Sequence, residues 1–230
     1  MLARRSVVLV FCLISVSVFA ASKTHYVRFS DSDWASIIGP PPLPGSAEQK
    51  SEIATLLNLQ SHRTEAQEKR CKSEVHADAF YFSRVLGPHF TEHELPITAQ
   101  LLREAAADAS DIADHIKRRW NRTRPYLADQ RIEPCVTLEK TGSYPSGHAV
   151  GGILRATILS EIFPEKRAAL MSLGRQLGDD RLLAGVHYPS DVVAGQKLGK
   201  AIAEKLLDNP DFRAALAKAR AECRHQHIEE

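Results

Sequence analysis

Two histidines, three cations and one aspartate could carry chemistry in this chain, and they sit in three separate segments. The first segment, GSYPSGHAVGG at residues 142–152, places Ser146, Gly147 and His148 just ahead of an apolar run. Small residues at a helix start let a ligand come close, and the amides of a first helical turn have no partner within the helix. The N–H groups of Ser146 and Gly147 would therefore form an anion site. His148, at its rim, could give a proton to an oxygen held by those amides. Taken alone, the same residues also describe a capped helix start with an exposed histidine.

The second segment, DDRLLAGVHYPSD, carries Arg181, His187 and Asp191. A carboxylate four residues after a histidine can accept its Nδ1 proton, fixing the ring and leaving Nε2 free as a nucleophile. That is the division of labour of a Ser-His-Asp triad. The third segment, KRRWNRTRP, holds Lys117 and Arg124 seven positions apart. Seven residues make about two helical turns, so both cations project to one side if the helix continues. Pro125 favours a break near Arg124. A basic helix end suited to the helix dipole, or a histidine–aspartate bond tying two helices, would each explain one segment. Taken together, the residues suit a tetrahedral oxyanion: cations and amides to hold it, one oriented imidazole to attack and another to supply a proton.

The spacing Lys117-x6-Arg124-Pro125, then Pro145-Ser146-Gly147-His148, then Arg181-x5-His187-x3-Asp191 resembles the three-part signature of the type 2 phosphatidic acid phosphatase superfamily. Vanadium-dependent haloperoxidases belong to the same superfamily. GSYPSGH and the closing NPDFRAALAKARAE are most similar to the class A bacterial non-specific acid phosphatases. The resemblance implies two-step hydrolysis of small phosphate monoesters without metal or other cofactor. Lys117, Arg124 and Arg181, with the Ser146 and Gly147 amides, would hold the phosphoryl oxygens. His187 would attack phosphorus to give a phosphohistidine, Asp191 would stabilise the imidazolium, and His148 would protonate the leaving alcohol. A proton-bearing His148 implies an acidic optimum. The signature is shared by haloperoxidases, which would hold vanadate on the residue matching His187, and by lipid phosphatases. A phosphate-binding protein without turnover would need no nucleophile. One departure stands out: Asp180 precedes Arg181 where the family usually has serine, and a carboxylate there must point away from phosphate or pair with a cation.

Positioning these segments calls for helices. Ser46 is placed to cap a helix bearing Ile53, Leu56, Leu57 and Leu59. Amphipathic patterns follow over 63–86 and 95–120, the latter with Ile97, Leu101, Leu102, Ala105 and Ile112 at helical spacing. After an irregular stretch at 126–144 come patterns over 146–162, 165–184, 189–207 and 210–224. Pro164, Pro189 and Pro210 fall where helices would start. No period-two alternation long enough for a sheet occurs. The expected fold is all-α, a compact helical bundle over 46–230 behind an extended, proline-rich arm at 21–45.

Residues 1–20 read as a cleaved secretory signal: a basic MLARR, an apolar run of about 14 residues and a small-residue cut after Ala20. The run is short for a membrane span, which needs about 20 apolar residues. The expected product is periplasmic or secreted, with no integral membrane span. Loss of Arg4 and Arg5 would take the net charge from +2 to zero, which gives no reason to expect nucleic acid as a specific partner. A homo-oligomer is compatible with the sequence. Cys71, Cys135 and Cys223 would remain, and one disulfide plus one free thiol is the simplest arrangement in an oxidising compartment. The other histidines lie outside the motifs and receive no role.

Overall fold

The computed structural model describes residues 26–225, so the expected signal at 1–20 lies outside the described residues. Its helices are α1 (Asp31–Ile38), α2 (Ala47–Ser61), α3 (Glu65–Ser73), α4 (Ser83–Leu86), α5 (Pro96–Trp120), α6 (Pro125–Ala128), α7 (Gly147–Ile162), α8 (Arg167–Leu183), α9 (Pro189–Asp208) and α10 (Pro210–His225). Among the described residues there is no strand.

The bundle is organised around α7, whose buried residues lie on every side: Val150, Ile153, Leu154, Ile158, Leu159 and Ile162 among them. A helix apolar all round must be enclosed, and α5, α8, α9 and α10 all pack on it. Close approach is written into glycines. A Cβ at Gly152 would lie 2.3 Å from the carbonyl oxygen of Gly174, so α7 and α8 cross backbone to backbone. The core they close includes Leu101, Leu102, Ile116, Leu198, Ile202, Phe163 and Phe212.

Helix ends follow the expected chemistry with informative exceptions. Ser46 caps α2 by accepting from the Gln49 amide at 3.2 Å. Pro189 and Pro210 open α9 and α10, whereas Pro164 opens a 3-10 turn, Pro164–Lys166, that leads into α8. The N-terminus of α5 is capped across the fold. Glu222 of α10 accepts from the amides of Ile97 at 2.9 Å and Thr98 at 2.8 Å.

Two expected elements are more broken than their apolar spacing suggested. The pattern over 63–86 is not one helix: α3 stops at Ser73, and a 3-10 turn at Ala79–Phe82 precedes α4. The break is made by Glu74, whose fully buried carboxylate turns inward to Arg181 and Tyr81, and by Asp78, which caps the 3-10 turn at the Phe80 amide. The arm is extended on both sides of α1. That short helix is held by a capping box between Ser30 and Asp33 and by burial of Trp34 against Trp120.

Candidate active site

The site forms where three helix ends meet. α5 ends at Trp120 because Asn121 takes a left-handed conformation, with its amide bonded back to the Lys117 carbonyl. Lys117 therefore sits in the last helical turn, and Arg124, in extended conformation, is the cap of α6. The helix does not continue between the two cations, yet both turn to the same place. Lys117 Nζ donates to the Gly142 carbonyl at 2.9 Å. Arg124 is 1% exposed. It donates through Nε to the Thr141 carbonyl at 2.9 Å, and through Nη1 to the Val186 carbonyl at 3.0 Å.

His187 lies in the turn between α8 and α9, with Asp191 in the first turn of α9. A carboxylate can only accept, so the 3.4 Å contact between His187 Nδ1 and Asp191 Oδ2 puts the ring proton on Nδ1. Nε2 then carries the lone pair, which accepts from Arg124 Nη1 at 3.4 Å. Burial, then the charges of Lys117 and Arg124, hold the His187 pKa well below its ordinary value despite the Asp191 bond, so the ring is neutral. Asp191 is fully buried, and burial opposes its ionisation. The His187 bond, the Arg122 charge and the Tyr188 amide outweigh that and hold its pKa below the ordinary value.

His148 occupies the second position of α7, after the Ser146 cap. Its Nε2 faces two carbonyl oxygens, Glu74 at 3.2 Å and Val75 at 3.3 Å. Carbonyls cannot donate, so Nε2 carries a proton, and any second proton enters and leaves at Nδ1. Within the protein alone, burial and then Arg181 push the His148 pKa down to about 4. Arg181, 2% exposed, donates to Glu74 Oε2 at 2.9 Å and the Cys71 carbonyl at 3.1 Å, while its buried Nε has no partner.

The Ser146 amide, expected to face a ligand, has a partner within the protein. It donates to the Asp191 carbonyl at 3.0 Å and is not available to a ligand. Ser146 Oγ accepts from the Ala149 amide at 3.4 Å. The amides left open by helix geometry are those of Gly147 and His148, at the first two positions of α7. Gly147, His148, Lys117, Thr141 and Glu139 line a cavity of about 550 Å³.

Asp180 turns away from that cavity. It takes a two-point bond from Arg70, Nε to Oδ2 at 2.5 Å and Nη2 to Oδ1 at 2.7 Å. The expected disulfide is not formed: Cys71, Cys135 and Cys223 are all thiols. Cys223 is buried beneath α10 beside Thr98, in a different cluster from Cys71 and its neighbour Cys135.

Sequence reasoning missed several contributors. Arg122 donates to Asp191 Oδ1 at 2.5 Å and Glu52 Oε2 at 2.7 Å, and stacks 3.9 Å over the Tyr188 ring. It lies inside KRRWNRTRP, but its partners come from α2 and α9, so no local spacing announces them. Glu139 matters most. Its Oε2 lies 2.6 Å from Arg124 Nη2. Burial raises the Glu139 pKa, but Arg124, then His187, Lys117 and His148, bring it below its ordinary value. One carboxylate thus lies on Arg124 and lines the same cavity as Lys117 and His148.

Comparison with known proteins gives the family. The family model described as PAP2 superfamily matches residues 98–205. A non-specific acid phosphatase of Providencia stuartii is 32% identical over 237 residues, covering 93% of this chain and 95% of that protein. One from Salmonella typhimurium is 36% identical over 146 residues, covering 61% of this chain and 58% of its own length. Among solved structures, a transmembrane PAP2-type phosphatidylglycerolphosphate phosphatase from Bacillus subtilis aligns with a TM-score of 0.54 at 18% identity, over 73% of this chain and 88% of that one. A bacterial vanadium-dependent iodoperoxidase gives 0.53 at 17% identity, over 77% and 53%. At those identities the two structures share the fold.

Proposed function

This chain belongs to the PAP2 superfamily, and on that premise we propose that its pocket hydrolyses phosphate monoesters, as a non-specific acid phosphatase working through a phosphohistidine. The observation that carries this reading is the meeting of Lys117, His148 and the open start of α7 on one cavity with Glu139, whose carboxylate lies 2.6 Å from Arg124 Nη2, while Arg124 Nη1 lies 3.4 Å from His187 Nε2. A phosphoryl group at that spot would lie between two imidazoles and within reach of the cations.

The steps follow from the hydrogen bonds. Neutral His187 offers Nε2 to phosphorus, the N–P bond forms as the P–O bond to the alcohol breaks, and Asp191 stabilises the imidazolium. The leaving oxygen takes the Nδ1 proton of His148. Water then attacks the phosphohistidine, giving its proton to His148 and releasing phosphate. Lys117, Arg124, Arg181 with its unpartnered Nε, the Ser146 hydroxyl and the amides at the start of α7 carry the developing charge. These groups supply positive charge without a metal.

The pKa of His148 falls to about 4 in the protein alone, so its catalytic proton arrives with the substrate, either as the phosphate monoanion or by stabilisation of the imidazolium beside bound phosphate. Either route favours acidic solution. The reading includes export of the chain to the periplasm or medium. Among the described residues no helix is long and apolar enough to cross a membrane.

The test is rapid quenching of purified protein mixed with labelled p-nitrophenyl phosphate, with and without chelator. An acid-labile phosphoprotein, absent in His187→Ala and undiminished by chelator, is expected. Turnover with no such adduct in the wild type would remove the covalent step, and halide oxidation with vanadate and peroxide in place of phosphatase activity would replace the reading.

A further inference from the structure

The cavity that holds the proposed phosphate site does not end there. It runs as a trough between α5 and α7, past Ala106, Ala109 and Gly151, to Arg155. His148, Gly151 and Arg155 are spaced three and four residues apart on α7, which puts them in line on one helical face.

Arg155 is an anomaly at that end. Its Nε is buried without a hydrogen-bond partner. Asp78 lines the same cavity but makes no ion-pair contact with Arg155, and its Oδ1 is taken by the Phe80 amide at 2.8 Å. A buried guanidinium nitrogen without a partner asks for an explanation, and nothing in the proposed reaction uses it.

The direction of the side chain supplies one. A Cβ built at Gly151 would lie 2.7 Å from Arg155 Nη1, so the guanidinium is laid back along α7 over Gly151, toward His148. Long helical side chains cover the preceding turn in this way. Glycine is a poor residue for a helix interior, and at Gly151 its use is the space it leaves for that guanidinium. The head of Arg155 thus stands about one helical turn, ~5 Å, from the level of His148.

We infer that Arg155 is a second anion subsite, taking a further phosphate on a short-chain substrate while the first is held at His187. This rests on the phosphatase reading, and it selects small bisphosphates from among the phosphate monoesters that the site accepts. The second phosphate would accept from Nε and the Nη groups, with the small side chains of α5 giving it room.

The experiment compares propanediol bisphosphate with propanediol monophosphate as substrates for wild type, Arg155→Met, Arg155→Lys and Gly151→Ala. In wild type the ratio of kcat/KM, bisphosphate over monophosphate, should be about tenfold or more, the scale of a hydrogen bond between charged groups. It should fall close to one in Arg155→Met and partly recover in Arg155→Lys. It should also fall in Gly151→Ala, which keeps the charge but pushes the guanidinium off its seat. A wild-type ratio near one, or a ratio unmoved by Arg155→Met, overturns the subsite and assigns Arg155 to ordinary hydration. Calorimetric binding of propane bisphosphonate against propyl phosphonate, in the same proteins, separates the two readings. Tighter bisphosphonate binding that Arg155→Met abolishes, in a protein that turns over neither substrate, keeps the subsite and removes the phosphatase. Equal binding of the two in wild type removes the subsite whatever the activity.

Discussion

Glu139 lays its carboxylate on Arg124, Oε2 to Nη2 at 2.6 Å. The Glu139 side chain is 49% exposed while the Arg124 side chain is 2% exposed, so the carboxylate covers the guanidinium from its solvent side. Any phosphate that binds Arg124 must displace it. Glu139→Gln should therefore tighten inhibition by inorganic phosphate, up to about fivefold, since half-exposed ion pairs contribute about 1 kcal/mol at most. Steady-state inhibition at fixed pH measures this. An unchanged or weaker inhibition constant would mean that Glu139 helps to hold the ligand.

The three motifs were legible because each is local: a cap, a turn and an i to i+4 histidine–aspartate pair are all readable as spacing. α5 and α7 were legible for the same reason, through apolar period, and α9 and α10 also through the prolines at their starts. The missed residues share a different property. Arg122, Glu52, Glu74 and Glu139 act through partners that are distant in sequence, as in the 2.9 Å bond between Glu74 and Arg181. The inward turn of Glu74, which ends α3, is likewise a tertiary effect that the apolar pattern over 63–86 conceals. The Ser146 amide was assigned to a ligand from helix-start geometry alone, and the competing acceptor, the Asp191 carbonyl, arrives only when α9 packs on α7.

Lys117 should set an alkaline limit on phosphate binding. Burial, then the Arg124 charge, lowers its pKa to about 8. As pH rises through that value the free enzyme loses a positive charge from the cavity, and the inhibition constant for phosphate should climb above about pH 8. Lys117→Arg should move that limb out of range, because a guanidinium stays charged. A flat inhibition constant across the limb in wild type would show that Lys117 does not bear on the anion.

His148 and His187 should both make the fold acid-sensitive. Burial is the first cause in each case, lowering His148 to about 4 and His187 likewise below its unfolded value near 6.5. Between those values the unfolded chain binds more protons than the folded one, so stability falls as pH drops. It is fully present above about pH 6.5 and lost progressively toward pH 4. Thermal melts of wild type and His148→Gln across this window measure the contribution, the variant showing the shallower slope. Identical slopes would place the acid sensitivity elsewhere.

Gly195 ties the packing of the bundle to the chemistry. An alanine there should favour the α9 helix by about 1 kcal/mol on propensity alone. Its Cβ, however, would lie 2.5 Å from the Ser146 carbonyl oxygen and 2.8 Å from Ala149 Cβ. The first of these is backbone and cannot swing aside, so α9 must back away from the start of α7. Overpacking of this kind costs about 1–3 kcal/mol, enough to cancel or reverse the propensity gain. The same displacement stretches the 3.0 Å bond between the Ser146 amide and the Asp191 carbonyl, which fixes the start of α7 relative to the turn that carries His187. Gly199 meets α7 as tightly, 2.4 Å from the Val150 carbonyl oxygen, but one turn farther from Asp191. Alanine at either position should lower the melting temperature, while Gly195→Ala should lower kcat by about tenfold or more, within the range set by misplaced catalytic groups. Equal losses of kcat in the two variants would show that general loosening of the α7–α9 interface, and not the Ser146–Asp191 link, governs the site.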